Sequence, residues 1–98
     1  NNAESRKLVV EQKTQYLSDY NAGTNIVVQS SDYAAYISAN YPAGWSVIGR
    51  SNRNTAHKTA FYNSNAQGGK AAIFTYRPDL FSTDGLTLFD KIIGWLKN

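Results

Sequence analysis

Cysteine is missing from the 98 residues. Disulfides, thiolate metal sites and a cysteine nucleophile are therefore excluded. Methionine is missing too, even at position 1, so the chain is expected to be processed or cut from something longer. No apolar stretch approaches the roughly 18 residues that a membrane span needs, and no signal peptide stands at the amino end. One histidine and seven dispersed carboxylates show no metal-ligand spacing. No cofactor is expected. None of the ten asparagines lies in an N-x-Ser/Thr sequon. Even so, a chain this rich in asparagine and tyrosine has the composition common in secreted or cell-surface proteins, and that location is expected.

What remains is enough for one domain over residues 1–98. A chain of this size buries only about two-thirds of its unfolded surface. Net charge is +3, unevenly placed. Residues 45–80 hold Arg50, Arg53, Lys58, Lys70 and Arg77 against Asp79 alone, and they include the single histidine, His57. Such a segment attracts phosphates or acidic polymers weakly. The plainer reading is a solvated basic face.

Hydrophobic spacing predicts an α-β-α-β-β-β-α order. Val9, Lys13, Tyr16, Leu17 and Tyr20 recur every three to four residues and predict a helix over about 5–20. A strand at Leu8–Val10 followed by a shorter helix is the rival, because valines are weak helix formers. Residues 24–29 read as a strand with β-branched residues at its centre. Ser30, Ser31 and Asp32 are N-cap residues for a second helix, with Tyr33, Ile37 and Tyr41 on one side and Pro42 and Gly44 as its stop. Strands follow at 45–49, 58–62 and 71–76, with turn residues at 51–54 and a polar loop at 63–69.

The last helix starts near Ser82-Thr83-Asp84. Its apolar stripe is Leu86, Phe89, Ile92, Ile93 and Leu96, widened by Leu88 and Trp95. Phe89, Ile92, Ile93 and Leu96 are expected to lie on a sheet containing Ile73 and Phe74. The predicted class is α/β: a small three-layer or two-layer sandwich of about four strands and three helices.

His57 is the obvious candidate for proton transfer, since imidazole is the usual acid or base at neutral pH. With Arg50 or Arg53 it could cleave a phosphodiester, arginine steadying the transition-state charge. A partner carboxylate is missing nearby in sequence, which favours a surface histidine beside a turn. Ser46 fails as a nucleophile elbow because Ile48 stands where the second glycine is needed. Gly68-Gly69-Lys70 lacks the spacing of a phosphate loop and reads as a hairpin turn. Tyrosine is the richer resource: seven in the chain, each offering a flat apolar face and a hydroxyl. Tyr33, Tyr36 and Tyr41 cluster in the second predicted helix and its exit. Core-edge packing is the plainer reading of most of them.

From Gly69 onward the chain resembles the closing segment of ThuA-like, class I glutamine amidotransferase-like domains. The matching residues are Gly69, Lys70, Phe74, Thr83, Asp84, Gly85, Leu88, Phe89, Asp90 and Trp95. The resemblance implies a flavodoxin-like three-layer αβα arrangement, often an accessory module of large secreted bacterial proteins. It transfers no catalytic residue: the amidotransferase nucleophile is a cysteine, and no local match places that group's histidine on His57.

The leading expectation is a non-catalytic binding or accessory domain of a secreted or surface bacterial protein. Its surface would comprise Tyr33, Tyr36, Tyr41, Arg50, Arg53 and Lys58. Glycan and protein partners both fit, and nucleic acid fits less well. The alternative is a small metal-independent nuclease or toxin-like enzyme using His57 with Arg50 or Arg53.

Overall fold

A computed structural model describes residues 2–12, 17, 19–38, 43–66 and 69–97. A single helical turn, α1 (Asn2–Ser5), leads into β1 (Lys7–Val10), followed by β2 (Asn25–Val27), β3 (Ser46–Ser51), β4 (Lys58–Ala66) and β5 (Gly69–Phe74). A 3-10 turn at Pro78–Leu80 then enters α2 (Thr83–Lys97). The strands form one sheet in the order β2-β1-β3-β4-β5, and every pairing is antiparallel. The expected α/β sandwich with three helices is therefore wrong. The described residues make a five-stranded antiparallel sheet with one long helix on it.

Strands β2 to β5 and α2 overlap their expected positions. The polar loop expected at 63–69 is mostly strand, since β4 runs on to Ala66 and β5 begins at Gly69, where backbone pairing extends the hairpin through polar residues. The two earlier predicted helices do not form as expected. Leu8, Val9 and Val10 are paired on both sides, with β2 through Leu8↔Ile26 and with β3 through Val9↔Arg50. An interior strand that buries both faces gains more than an isolated amphipathic helix, so tertiary pairing overrides local periodicity. Of the rest of that predicted helix, residues 13–16 and 18 lie outside the described residues, and 11, 12, 17, 19 and 20 are not helical.

Over 30–38 the chain is irregular, bent at 30–32 and bridged once at Ile37, with a left-handed Asp32 at φ 66°, a conformation that aspartate tolerates and a helix does not. Distant groups take its backbone. The Ala34 N–H donates to Ser5 Oγ (3.2 Å), Thr75 Oγ1 donates to the Ala35 carbonyl (2.7 Å), and Ile37 exchanges two hydrogen bonds with Lys58 (2.8 and 3.0 Å).

The core lies between α2 and one sheet face. Leu8, Val10, Ile26, Val28, Ile48, Ala60 and Tyr76 meet Leu88 and Ile92 there. Phe74 is on this face, with ring centroids 5.8 Å from Phe81 and from Phe89. Ile73 alternates to the other face opposite Phe61, so the expectation that both Ile73 and Phe74 support the helix holds only for Phe74. The helix is also rotated from its expected setting. Its buried line is Gly85, Leu88, Ile92 and Trp95; Phe89, Ile93 and Leu96 are half-buried, and Leu86 is exposed.

Gly85 explains the rotation. A Cβ added there would lie 2.3 Å from the Val28 carbonyl oxygen, so the helix start approaches the backbone after β2 as only glycine can. Ser82 fastens the same junction. Its N–H donates to the Val28 carbonyl (2.8 Å), its hydroxyl donates to the Val27 carbonyl, and its Oγ caps the Gly85 N–H (3.0 Å).

Two outcomes follow from this packing. The helix glycines separate cleanly: Gly94 is exposed with nothing near its absent Cβ, so Gly94→Ala should stabilise by roughly 0.5–1 kcal/mol. Gly85→Ala should destabilise by about 1–3 kcal/mol, despite the same propensity gain; urea unfolding of both variants checks the pair. Tyr76 governs the alkaline limit. Burial raises its pKa, while the hydrogen bond to Thr59 Oγ1 (3.0 Å) opposes that shift. A tyrosine raised in the folded state supports stability fully below its unfolded value, about 10, and loses that support as pH climbs toward the folded value. Melting temperature should therefore fall above about pH 10, and less steeply in Tyr76→Phe.

Candidate functional site

Three of the expected binding residues and the histidine of the catalytic alternative come together at one end of the sheet. Two chain segments build this end. One is the irregular stretch after β2, carrying Tyr33 and Tyr36. The other is the turn from β3 to β4, carrying Arg53 and His57. The Tyr36 and His57 rings stack with centroids 3.6 Å apart and planes 3° from parallel. The Arg53 guanidinium carbon lies 5.8 Å from the Tyr33 ring centroid, within range of a cation–π contact. Tyr33 and Tyr36 remain 56% and 45% exposed. The result is an outward aromatic platform with a basic backing.

Both segments are held from behind. Gln29, fully buried, ties the tyrosine stretch to the chain ahead of α2. Its amide nitrogen donates to the carbonyls of Ser31 (3.1 Å) and Tyr33 (3.4 Å), and its Oε1 accepts from the Arg77 N–H (2.9 Å). Arg6 Nε donates to the Asp32 carbonyl (3.0 Å). In the turn, Asn54 Oδ1 accepts from the Ala56 N–H (2.9 Å), Ser51 Oγ accepts from the Arg53 N–H (3.1 Å), and the Asn52 amide donates to Glu4 (2.7 Å). That last bond, with Lys7 beside it, holds the Glu4 carboxyl below its ordinary range. The ion pairs Arg77–Asp32 (3.3 Å) and Arg77–Asp79 (2.9 Å) are more than half exposed and add little.

Arg50 and Lys58 are not on the platform. They are cross-strand partners on β3 and β4, and β1 sets Val9 beside Arg50. Glu11, two residues beyond Val9, shares that face and pairs with Lys58 at 2.6 Å. With Val10, Gly23 and Thr55 these residues line a cleft of about 370 Å³. The platform and the cleft flank the same turn, since Thr55 falls between Arg53 and His57. Tyr41 lies outside the described residues.

No carboxylate comes within ion-pair range of His57 among the described residues. Its Nδ1 is buried there without a hydrogen-bond partner. Nor do the described residues gather three groups able to hold a metal ion, and no helix is long and apolar enough to cross a membrane. Two contributors escaped the sequence reading. Glu11 had one signal, its i+2 spacing from Val9 once residues 7–10 are read as a strand. Gln29 had another, a lone polar residue closing the run Ile26-Val27-Val28. No protein-family profile, curated protein or solved structure matches this chain.

Gln29 sets the tyrosine stretch through three hydrogen bonds, so Gln29→Ala should loosen the platform before it unfolds the sheet. A stability loss of about 1–3 kcal/mol is expected from the stranded polar groups. Amide exchange should quicken at 31–36 more than in β3 and β4, and uniform quickening would contradict this placement.

Proposed function

We propose that the chain is a non-catalytic binding domain of a secreted or surface bacterial protein, and that its ligand is a glycan. One observation carries the reading: two exposed tyrosine rings are held in place by Arg53 and His57. Rings already fixed by stacking lose little freedom when a ligand lands on them. A tyrosine offers an apolar face to the C–H face of a sugar and a hydroxyl to its rim. The cations beside the rings add hydrogen-bond donors and favour sugars that carry negative charge.

The hydrolytic alternative has less support. It needs a second acid or base near His57, and none of the described carboxylates is there. Of its two candidate arginines, Arg50 lines the cleft, and Arg53, set against Tyr33, shares the platform with His57. A cation is therefore at hand, but no carboxylate among the described residues pairs with His57 to share the proton transfer.

A glycan array probed with the chain and with a Tyr33→Ala/Tyr36→Ala double variant tests the proposal. Selected oligosaccharides should be retained, with affinity lower by at least about tenfold, ~1.4 kcal/mol, in the double variant. A blank array would overturn the glycan reading and leave a protein partner for the same platform. RNA incubated with the chain at low salt without metal should stay intact. Cleavage that disappears in His57→Ala would replace the binding role with an enzymatic one.

A further inference from the structure

The cleft behind the turn differs in chemistry from the platform. Val9, almost fully buried, is part of its lining. Arg50, opposite Val9 across the strands, also lines it, with no ion-pair or hydrogen-bond partner for its guanidinium among the described residues. Lys58 is held by one oxygen of Glu11, with the two side chains only 23% and 29% exposed. The other Glu11 oxygen has no partner among the described residues. Thr55 adds a hydroxyl to the lining. The volume, about 370 Å³, falls at the lower end of the range typical of small-molecule sites, roughly 300–1,000 Å³.

We infer that this cleft binds a hexuronate, a six-carbon sugar acid, as the charged unit of the glycan proposed above. The choice of a sugar rests on that reading; the choice of an acid rests on the cleft itself. Arg50, Lys58 and Glu11 sum to a single positive charge, which a monoanion neutralises. An unoccupied guanidinium fork matches a carboxylate bidentately. A compact polyanion such as phosphate would meet the Glu11 carboxylate as well as the two cations. A sugar acid separates its parts: its carboxylate reaches Arg50 while its hydroxyls donate to the free oxygen of Glu11 and exchange hydrogen bonds with Thr55. The apolar ring face then covers Val9. The cleft therefore asks for one negative end and several hydroxyl donors on a small ring.

Titration of the chain with methyl glucuronide, methyl galacturonide and methyl glucoside, followed by amide NMR, tests the assignment. These ligands share a pyranose ring, and the glucoside lacks the carboxylate. At least one uronide should shift the amides of Val9, Glu11, Arg50 and Lys58 in a saturable way, at least tenfold more tightly than the glucoside. Arg50→Gln should weaken that uronide at least tenfold while the remaining amide spectrum stays folded. Glu11→Ala should weaken it too, by loss of the acceptor for the sugar hydroxyls, although removing a negative charge would strengthen binding of a simple anion.

Silence of both uronides at the cleft overturns the inference, and so does an Arg50→Gln variant that binds unchanged. Acetate or phosphate shifting the same amides as tightly overturns it as well, because the sugar would then contribute nothing. The two proposals fail separately. Uronide binding at the cleft with a blank glycan array removes the platform reading alone. A silent cleft with array binding lost in the tyrosine double variant removes the cleft alone.

Discussion

The contact between the backbone after β2 and the first turn of α2 is the constraint on which most of this fold depends. Val28 and Gly85 meet so closely that no side chain fits between them. Ser82 locks the same point from both its backbone and its hydroxyl. The setting of the helix about its axis is fixed there, at its start. Leu88, Ile92 and Trp95 then follow at the spacing that keeps one line against the sheet. Each fully buried aliphatic side chain on that line contributes about 1.5–3 kcal/mol. Gly85 is thus unfavourable for helix propensity and required for helix docking, and docking wins.

The neighbouring residue extends that constraint to the surface. Gln29 bridges to Phe81 through the backbone and spends its whole side chain on Ser31, Tyr33 and Arg77. A buried amide with both ends satisfied fixes backbone direction more tightly than an apolar contact does, because hydrogen bonds are directional. The stretch that leaves the sheet here therefore has a defined path without being a helix or a long strand. Tyr33 and Tyr36 ride on it. The same junction that seats the helix thereby positions the aromatic platform.

This arrangement also explains which parts of the structure were legible in the sequence. Strands β3 to β5 and helix α2 carry their own signals: short apolar runs, turn residues between them, and a serine-capped amphipathic pattern. β1 was legible only as the weaker alternative, since Val9 and Val10 are stabilised as strand by partners some 15 and 40 residues away. Residues 30–38 misled in the opposite direction. Ser31 and Asp32 are good helix caps, but Asp32 takes a left-handed conformation, and Ser5, Thr75 and Lys58 capture the backbone beyond it. Tyr33, Tyr36, Arg53 and His57 were each recognisable as candidates by residue type. Their contact was not, because it joins segments about 20 residues apart through an irregular path.

The basic middle of the chain resolves into groups with different fates. Arg77 is neutralised by Asp32 and Asp79, and Lys58 by Glu11. Lys70 donates to the Trp95 carbonyl at the end of α2 (2.9 Å) and sits over the Trp95 ring, a favourable place for a cation at a helix C-terminus. Arg53 lies against Tyr33 without a carboxylate among the described residues, and Arg50 has no partner there at all. Five cations against one acid suggested a uniformly basic face. Folding instead leaves two guanidinium groups uncompensated, one on each flank of the β3–β4 turn. If the chain binds a charged ligand as proposed, selectivity rests on those two positions rather than on the net charge of the chain. Screening supports the distinction. At physiological salt the Debye length is about 8 Å, so diffuse attraction from the overall charge fades within one side chain's reach, whereas a guanidinium in a partly enclosed cleft retains its pull.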